Sequence, residues 1–114
     1  MNRNNYSTAY DICILINECM KISEFREVVG TDYFETRSLR SQKQTMTCVE
    51  SRLNTYRWSN TNKLLGVFDG LKGCKTGVTQ AAGPCFAGYF EKDGLKLALV
   101  LCNSVSMDHR WVEV

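Results

Sequence analysis

Apolar residues at Ile12, Leu15, Ile16, Cys19, Met20 and Ile22 recur at the spacing of one helical face. Ahead of them, Thr8-x-x-Asp11 has capping-box form with Asp11 at the usual Glu or Gln position, so the spacing predicts a helix from about Thr8 to Ile22. Ser23 to Val29 reads as a second short helix, with Ser23 as its cap and Gly30 as its stop. From Thr31 to Trp58 the pattern loosens, and Thr, Tyr, Phe and Val suggest strands around Tyr33 to Thr36 and Thr45 to Val49. Arg57 to Leu65 reads as a connection whose Asn side chains bond neighbouring backbone and fix the loop, with Trp58 as a core or loop anchor.

The second half of the chain is more sharply patterned. Asp69 to Phe86 has the layout strand, loop, strand, with Gly70 and Gly73 before Lys75-Thr76-Gly77 and Gly83-Pro84 after it. Cys85 to Phe90 and Leu95 to Cys102 flank Asp93-Gly94, a two-residue hairpin signal. That turn sets a register with Phe90 opposite Leu97, Gly88 opposite Leu99 and Phe86 opposite Leu101 on one face. Tyr89 then opposes Ala98, Ala87 opposes Val100 and Cys85 opposes Cys102 on the other. Both faces are largely apolar, which predicts a sheet with helices on each side. Ser106 to Val114 reads as a short helix-like segment.

A chain of 114 residues suits one module with a modest core. Its hydrophobic fraction of 44% and charged fraction of 23% are those of an ordinary globular domain. No apolar run approaches the roughly 18 residues of a membrane span. The residues after Met1 hold no apolar stretch before a cleavage site, so no signal peptide is expected there. The net charge of +2 is small, and the cluster Arg37, Arg40, Lys43 reads as a solvated loop, so no nucleic-acid partner is expected. Cysteines at 13, 19, 48, 74, 85 and 102 include no Cys-x-x-Cys pair, and His109 is the only histidine. The spacing therefore predicts no metal site and no cofactor, with thiols mostly reduced and buried.

The candidate chemistry lies in Lys75-Thr76-Gly77. The ammonium of Lys75 and the hydroxyl of Thr76 suit an anion such as a terminal carboxylate, and the missing Cβ of Gly77 lets a peptide backbone lie against the strand. Such a device anchors a substrate; it is not a nucleophile. Taken singly, Lys75 also reads as a solvated strand-end lysine, Thr76 as a strand former and Arg110 as a surface helix residue.

The chain resembles the second half of serine D-alanyl-D-alanine carboxypeptidases of the low-molecular-mass penicillin-binding-protein family. The similar stretches run in the family's order: Tyr6 to Asp11, Glu24 to Val29, Asn60 to Leu65, Lys75 to Thr79 with Ala82-Gly83, and Arg110. The resemblance implies an α+β fold, part of the β-lactamase/transpeptidase-like architecture, in which an antiparallel sheet packs with helices. It implies that Lys75 supplies positive charge beside the nucleophile, that Thr76 bonds the substrate's terminal carboxylate and that Gly77 leaves room for it. The N–H of Val78, where the family often has histidine, would be one oxyanion-hole donor, and Arg110 would help bind the carboxylate. Substrates would be peptides ending in D-Ala-D-Ala, with β-lactams as mimics, and family members are usually exported to the cell envelope.

Two family motifs have no counterpart here. No serine has a lysine three positions on, and no Ser-x-Asn occurs. Both normally precede the stretch similar to Tyr6 to Asp11, so the expectation is a C-terminal part that needs a partner or upstream segment carrying the serine. The other reading is a non-catalytic relative serving as a binding or structural subunit. In the family fold Leu95 to Cys102 is an interior strand, so its second edge is expected to be covered by self-association or a partner chain.

Overall fold

The computed structural model describes residues 4–39 and 53–114. Helix α1 covers Ala9–Cys19 and α2 Ser23–Gly30. Strands β1 (Tyr33–Leu39) and β2 (Leu53–Ser59) form a two-stranded antiparallel ribbon, and β3 (Leu71–Thr79), β4 (Gly83–Lys92) and β5 (Leu95–Leu101) form a three-stranded antiparallel sheet in that order. The fold class is α+β, as expected.

Thr8 caps α1: its hydroxyl accepts from the Asp11 N–H at 3.1 Å and donates to the Asp11 carboxylate at 2.8 Å. The helix ends at Cys19, short of the expected Ile22, because Ile22 is extended (φ −89°, ψ 120°) and serves as the cap residue of α2. One strand expected in the middle of the chain, Thr45 to Val49, lies outside the described residues. The strand β2 was missed there: Arg57 to Ser59, expected as loop, pair with Tyr33 to Glu35. The physical reason is aromatic packing across and along the ribbon. Trp58 stacks on Phe34 at 6.0 Å and on Tyr56 at 5.8 Å, and this stack is half exposed rather than part of the core.

The β4–β5 hairpin has the expected register, from Phe86↔Leu101 to Lys92↔Leu95. Asp93 (φ 51°) and Gly94 (φ 79°) both sit in the left-handed region that a tight hairpin turn demands. Helix α1 lies over β4 and β5, and α2 lies over β3. Their shared core is Ile16, Met20, Cys74 and Tyr89, ringed by Ile12, Phe25, Val29, Ala87, Ala98 and Val100. The other face departs from the expectation of a helical layer. Among the described residues it is covered by loop and a single 3₁₀ turn, His109–Trp111, where a helix-like segment from Ser106 was expected. There Phe86, 1% exposed, meets Trp111 edge-on at 5.8 Å, and Phe90 meets Phe68 at 5.4 Å. Toward the hairpin turn that cover ends, leaving Leu95 and Leu97 exposed.

The helical layer closes on the sheet at Gly73. The β3–β4 register slips between Leu71 and Gly73, and Gly73 adopts φ 129°. A Cβ there would stand 2.3 Å from the carbonyl oxygen of Val29, at the end of α2. We therefore expect Gly73→Ala to destabilise the fold by ~3 kcal/mol, since backbone strain and a clash with main chain act together. Gly94→Ala, where an added Cβ meets nothing within 4 Å, should lose only ~1 kcal/mol of left-handed strain. Urea unfolding of the two variants checks the ranking, and equal losses would refute the contact.

Burial pushes the Cys74 thiol up to about 11, with the neighbouring Cys19 adding to the effect. An unfolded thiol ionises near its ordinary value and the buried one does not. Cys74 therefore contributes stability that is intact below the unfolded pKa and is lost as pH rises toward the folded one. Stability should fall between about pH 9 and pH 11, and Cys74→Ser should flatten that slope in urea titrations across the same window.

Candidate functional site

The end of β3 carries the site residues, and the ladder to β4 sets where each points. Lys75 lies opposite Ala87 and Gly77 opposite Cys85, while Thr76 lies opposite Phe86. Opposed residues of an antiparallel pair share a face. Lys75 is thus on the α1 side with Ala87, and Thr76 is on the Phe86 side, 8% exposed. Among the described residues no strand pairs with the outer edge of β3.

Lys75 is exposed, forms no ion pair among the described residues, and donates from Nζ to the carbonyl of Thr76. The Thr76 hydroxyl shares a 2.6 Å hydrogen bond with that of Thr61. Gly77 is exposed, and a Cβ added to it would meet nothing within 4 Å. Val78 is half exposed opposite Pro84.

Arg110 is only 4% exposed, so it is not the surface residue that its sequence context alone suggests. Its Nη1 donates to the carbonyls of Cys85 at 3.2 Å and Gly77 at 3.5 Å. The guanidinium carbon lies 4.4 Å from the centre of the Trp111 ring, within cation–π range. Its Nε is buried without a hydrogen-bond partner, and no carboxylate pairs with it among the described residues. Two cations with no ion pair among the described residues thus reach consecutive carbonyls of β3, Lys75 that of Thr76 and Arg110 that of Gly77. A buried guanidinium without a counter-ion keeps much of its field, because little water screens it.

Thr61 was not singled out as a site residue. It belongs to a turn built as expected for its asparagines: Asn60 Nδ2 donates to the carbonyl of Thr31 at 2.9 Å, and the side-chain oxygens of Asn60 and Asn62 accept from the N–H groups of Asn62 and Leu64. That turn delivers Thr61 to Thr76, a contact fifteen residues apart with no local signal. Trp111 was also unassigned. Its only sequence cue is adjacency to Arg110.

Beside the triplet runs a groove of about 870 Å³, lined mainly by apolar atoms from α1 and the sheet, including Ile12, Leu15, Cys19 and Val100, with Lys75 and Thr76 at its margin. No group of three or more metal-ligating side chains occurs among the described residues. No described helix is long and apolar enough to cross a membrane.

This helix-backed antiparallel sheet with a cationic strand end is the partial architecture of the transpeptidase-like fold. The solved structure of the Streptomyces K15 DD-transpeptidase matches it with a TM-score of 0.86 at 28% identity, over 98% of this chain and 40% of that one. The D-alanyl-D-alanine carboxypeptidase DacD from Francisella tularensis shares the fold at a TM-score of 0.79 and 20% identity, over 99% of this chain and 36% of that one. In sequence, the chain is 26% identical over 112 residues to the D-alanyl-D-alanine carboxypeptidase DacF of Bacillus subtilis (strain 168), covering 96% of this chain and 25% of the relative. The D-alanyl-D-alanine carboxypeptidase family model matches residues 1–106. The chain belongs to that family, and it spans about a quarter to two-fifths of the length of these relatives.

The two cations should respond differently to removal. Arg110→Lys is expected to destabilise the fold by ~2 kcal/mol, because a lysine cannot hold both carbonyls and the Trp111 ring at once. Lys75→Met should change stability by under ~0.5 kcal/mol, as an exposed strand residue does. Thermal unfolding distinguishes the two; an indifferent Arg110→Lys would mean that the guanidinium does not brace the strand.

Proposed function

We propose that this chain is the C-terminal part of a serine-type D-alanyl-D-alanine carboxypeptidase and acts together with a segment that carries the Ser-x-x-Lys nucleophile. The observation that carries this reading is the pair of cations at the end of β3, neither ion-paired among the described residues, in a chain that belongs to the family. In this reading the 114 residues are one module. An extended peptide adds along the β3 edge, and Gly77 leaves room for its backbone. The hydroxyl of Thr76, oriented by Thr61, bonds the terminal carboxylate, and Lys75 supplies positive charge beside the attacking serine. Arg110 favours the same carboxylate from beneath the strand.

Catalysis then depends on charge stabilisation. As the serine adds to the scissile carbonyl, negative charge grows on its oxygen, and the Val78 N–H is one of two donors that receive it, the serine N–H being the other. Valine serves as well as histidine because the donor is main chain. Without the serine these groups bind and polarise but transfer no acyl group.

The same reading assigns a partner to the second edge of β5. Leu97, Ala98, Leu99, Val100 and Leu101 offer no charge, proline or bulge against pairing, so the edge is covered by the nucleophile-bearing segment or, in its absence, by a second copy. The chain should be tested alone and mixed with an N-terminal family segment that holds the serine. Alone, it should sediment at micromolar concentration as a self-associated species and take up no fluorescent penicillin. The mixture should form a heteromeric complex whose serine is labelled, with labelling lowered by roughly a hundredfold in Thr76→Val or Lys75→Met, a loss typical of removing one preorganised polar group. Absence of labelling in the mixture overturns the catalytic reading, and a stable monomer with a bare edge overturns the assembly.

A further inference from the structure

The cysteines are the reactive side chains that the family reading leaves without a role, and two of them are placed to react together. Cys85 and Cys102 lie one step past Phe86↔Leu101, the last pair of the β4–β5 ladder. Beyond that pair the backbone bond from Ser104 N–H to the Pro84 carbonyl, 2.9 Å long, runs one residue out of register, and Asn103 takes φ 57°. Cys102 and Asn103 thus oppose Cys85 together, in the manner of a bulge. Both cysteines are free thiols, and Cys85 is close enough to raise the pKa of Cys102. Opposed residues of antiparallel strands have Cα atoms about 4.5 or 5.5 Å apart. Both spacings fall within the ~4.4–6.8 Å that a disulfide spans, and the two cysteines stand one step past such a pair, at the bulge.

Among the described cysteines Cys102 alone is exposed, while Cys85 shares its half-buried state with Cys13 and Cys19, so exposure marks the attacking thiol and strand pairing marks its partner. Cys102 is exposed, and Cys85 is half-buried with its thiol directed at the carbonyls of Ala82 and Gly83. Cys74 is buried with its sulfur 3.9 Å from that of Met20, and Cys13 points to the carbonyl of Ala98.

We propose that Cys85 and Cys102 are a reversible dithiol–disulfide site that ties β4 to β5 beside the Lys75-Thr76-Gly77 triplet. The oxidant is a small-molecule disulfide. The thiolate of exposed Cys102 attacks one of its sulfurs, breaking the S–S bond and releasing one thiolate. The thiolate of Cys85 then attacks the Cys102 sulfur in the mixed disulfide and releases the second. In balance, the two protein thiols give up two protons and two electrons, and the oxidant leaves as two thiols. Partial desolvation, and after it the neighbouring Cys85, hold the Cys102 thiol above its ordinary value, so the first step accelerates as pH rises.

The location ties this chemistry to the site. Cys85 is the register partner of Gly77, and its carbonyl is one of the two held by Arg110. A bridge to Cys102 therefore fixes the strand end from which the Arg110 brace reaches Gly77.

The test needs no enzymatic activity and so stands apart from the family reading. The full chain is reduced, desalted, exposed to oxidised glutathione, alkylated and digested with trypsin. Lys75, Lys92, Lys96 and Arg110 place Cys85 and Cys102 on separate peptides, 76–92 and 97–110. The expected result is a linked pair of these peptides lighter by two hydrogens. It should form ahead of any link to Cys13, Cys19, Cys48 or Cys74 and revert with dithiothreitol. In Cys102→Ser no linked peptide containing Cys85 should appear. Persistent alkylation of both thiols, glutathione held singly on either, or preferential pairing with another cysteine overturns the proposal.

Discussion

The close approach of main chain to main chain at Gly73 is the constraint on which the rest of the molecule depends. Strand β3 carries the triplet, and α2 can close over it only where no side chain intervenes. The register slip that brings Gly73 there also resets the strand, so that Lys75, Thr76 and Gly77 face Ala87, Phe86 and Cys85 in turn. Position along β3 and packing of the helical layer are thus one decision. A bulky residue at Gly73 would lift α2, and with it Phe25 and Val29, off the core of Ile16, Met20, Cys74 and Tyr89.

The strand end is held from two sides by unlike means. On one side, a turn knitted by Asn60 and Asn62 brings the hydroxyl of Thr61 to Thr76. On the other, Arg110 grips successive strands through their carbonyls while lying on Trp111, which itself abuts Phe86. Neutral hydrogen bonds fix direction and the guanidinium adds charge. This division leaves Lys75 free of any structural duty except at its own carbonyl contact.

Local patterning made the β4–β5 hairpin legible from its turn to Phe86↔Leu101, because Asp93-Gly94 admits one tight turn and those pairs follow from it; the expected Cys85 and Cys102 pair lies beyond the ladder, where the register slips. The capped start of α1 and the strand bearing the triplet were legible for the same reason: cap, glycine and alternation are short-range. The ribbon β1–β2 was half seen, since Trp58 marks a strand only once Phe34 is known to lie across from it. The Thr61–Thr76 contact and the burial of Arg110 were invisible, because each is made by elements whose meeting depends on the whole fold. The second helical layer expected over the sheet rested on the apolar character of both faces. Among the described residues, one of those faces is shielded by aromatic rings and loop.

Tryptophan placement has a spectroscopic consequence. The chain holds two, Trp58 on a half-exposed aromatic stack of the ribbon and Trp111 with its indole nitrogen buried against the sheet. Water relaxes the excited state of the first and not of the second, so their emissions separate in wavelength. Because Trp111 lies under the guanidinium of Arg110, its intensity registers the distance to that cation. The molecule carries an intrinsic optical gauge on the brace behind its triplet, with the other indole as an internal standard.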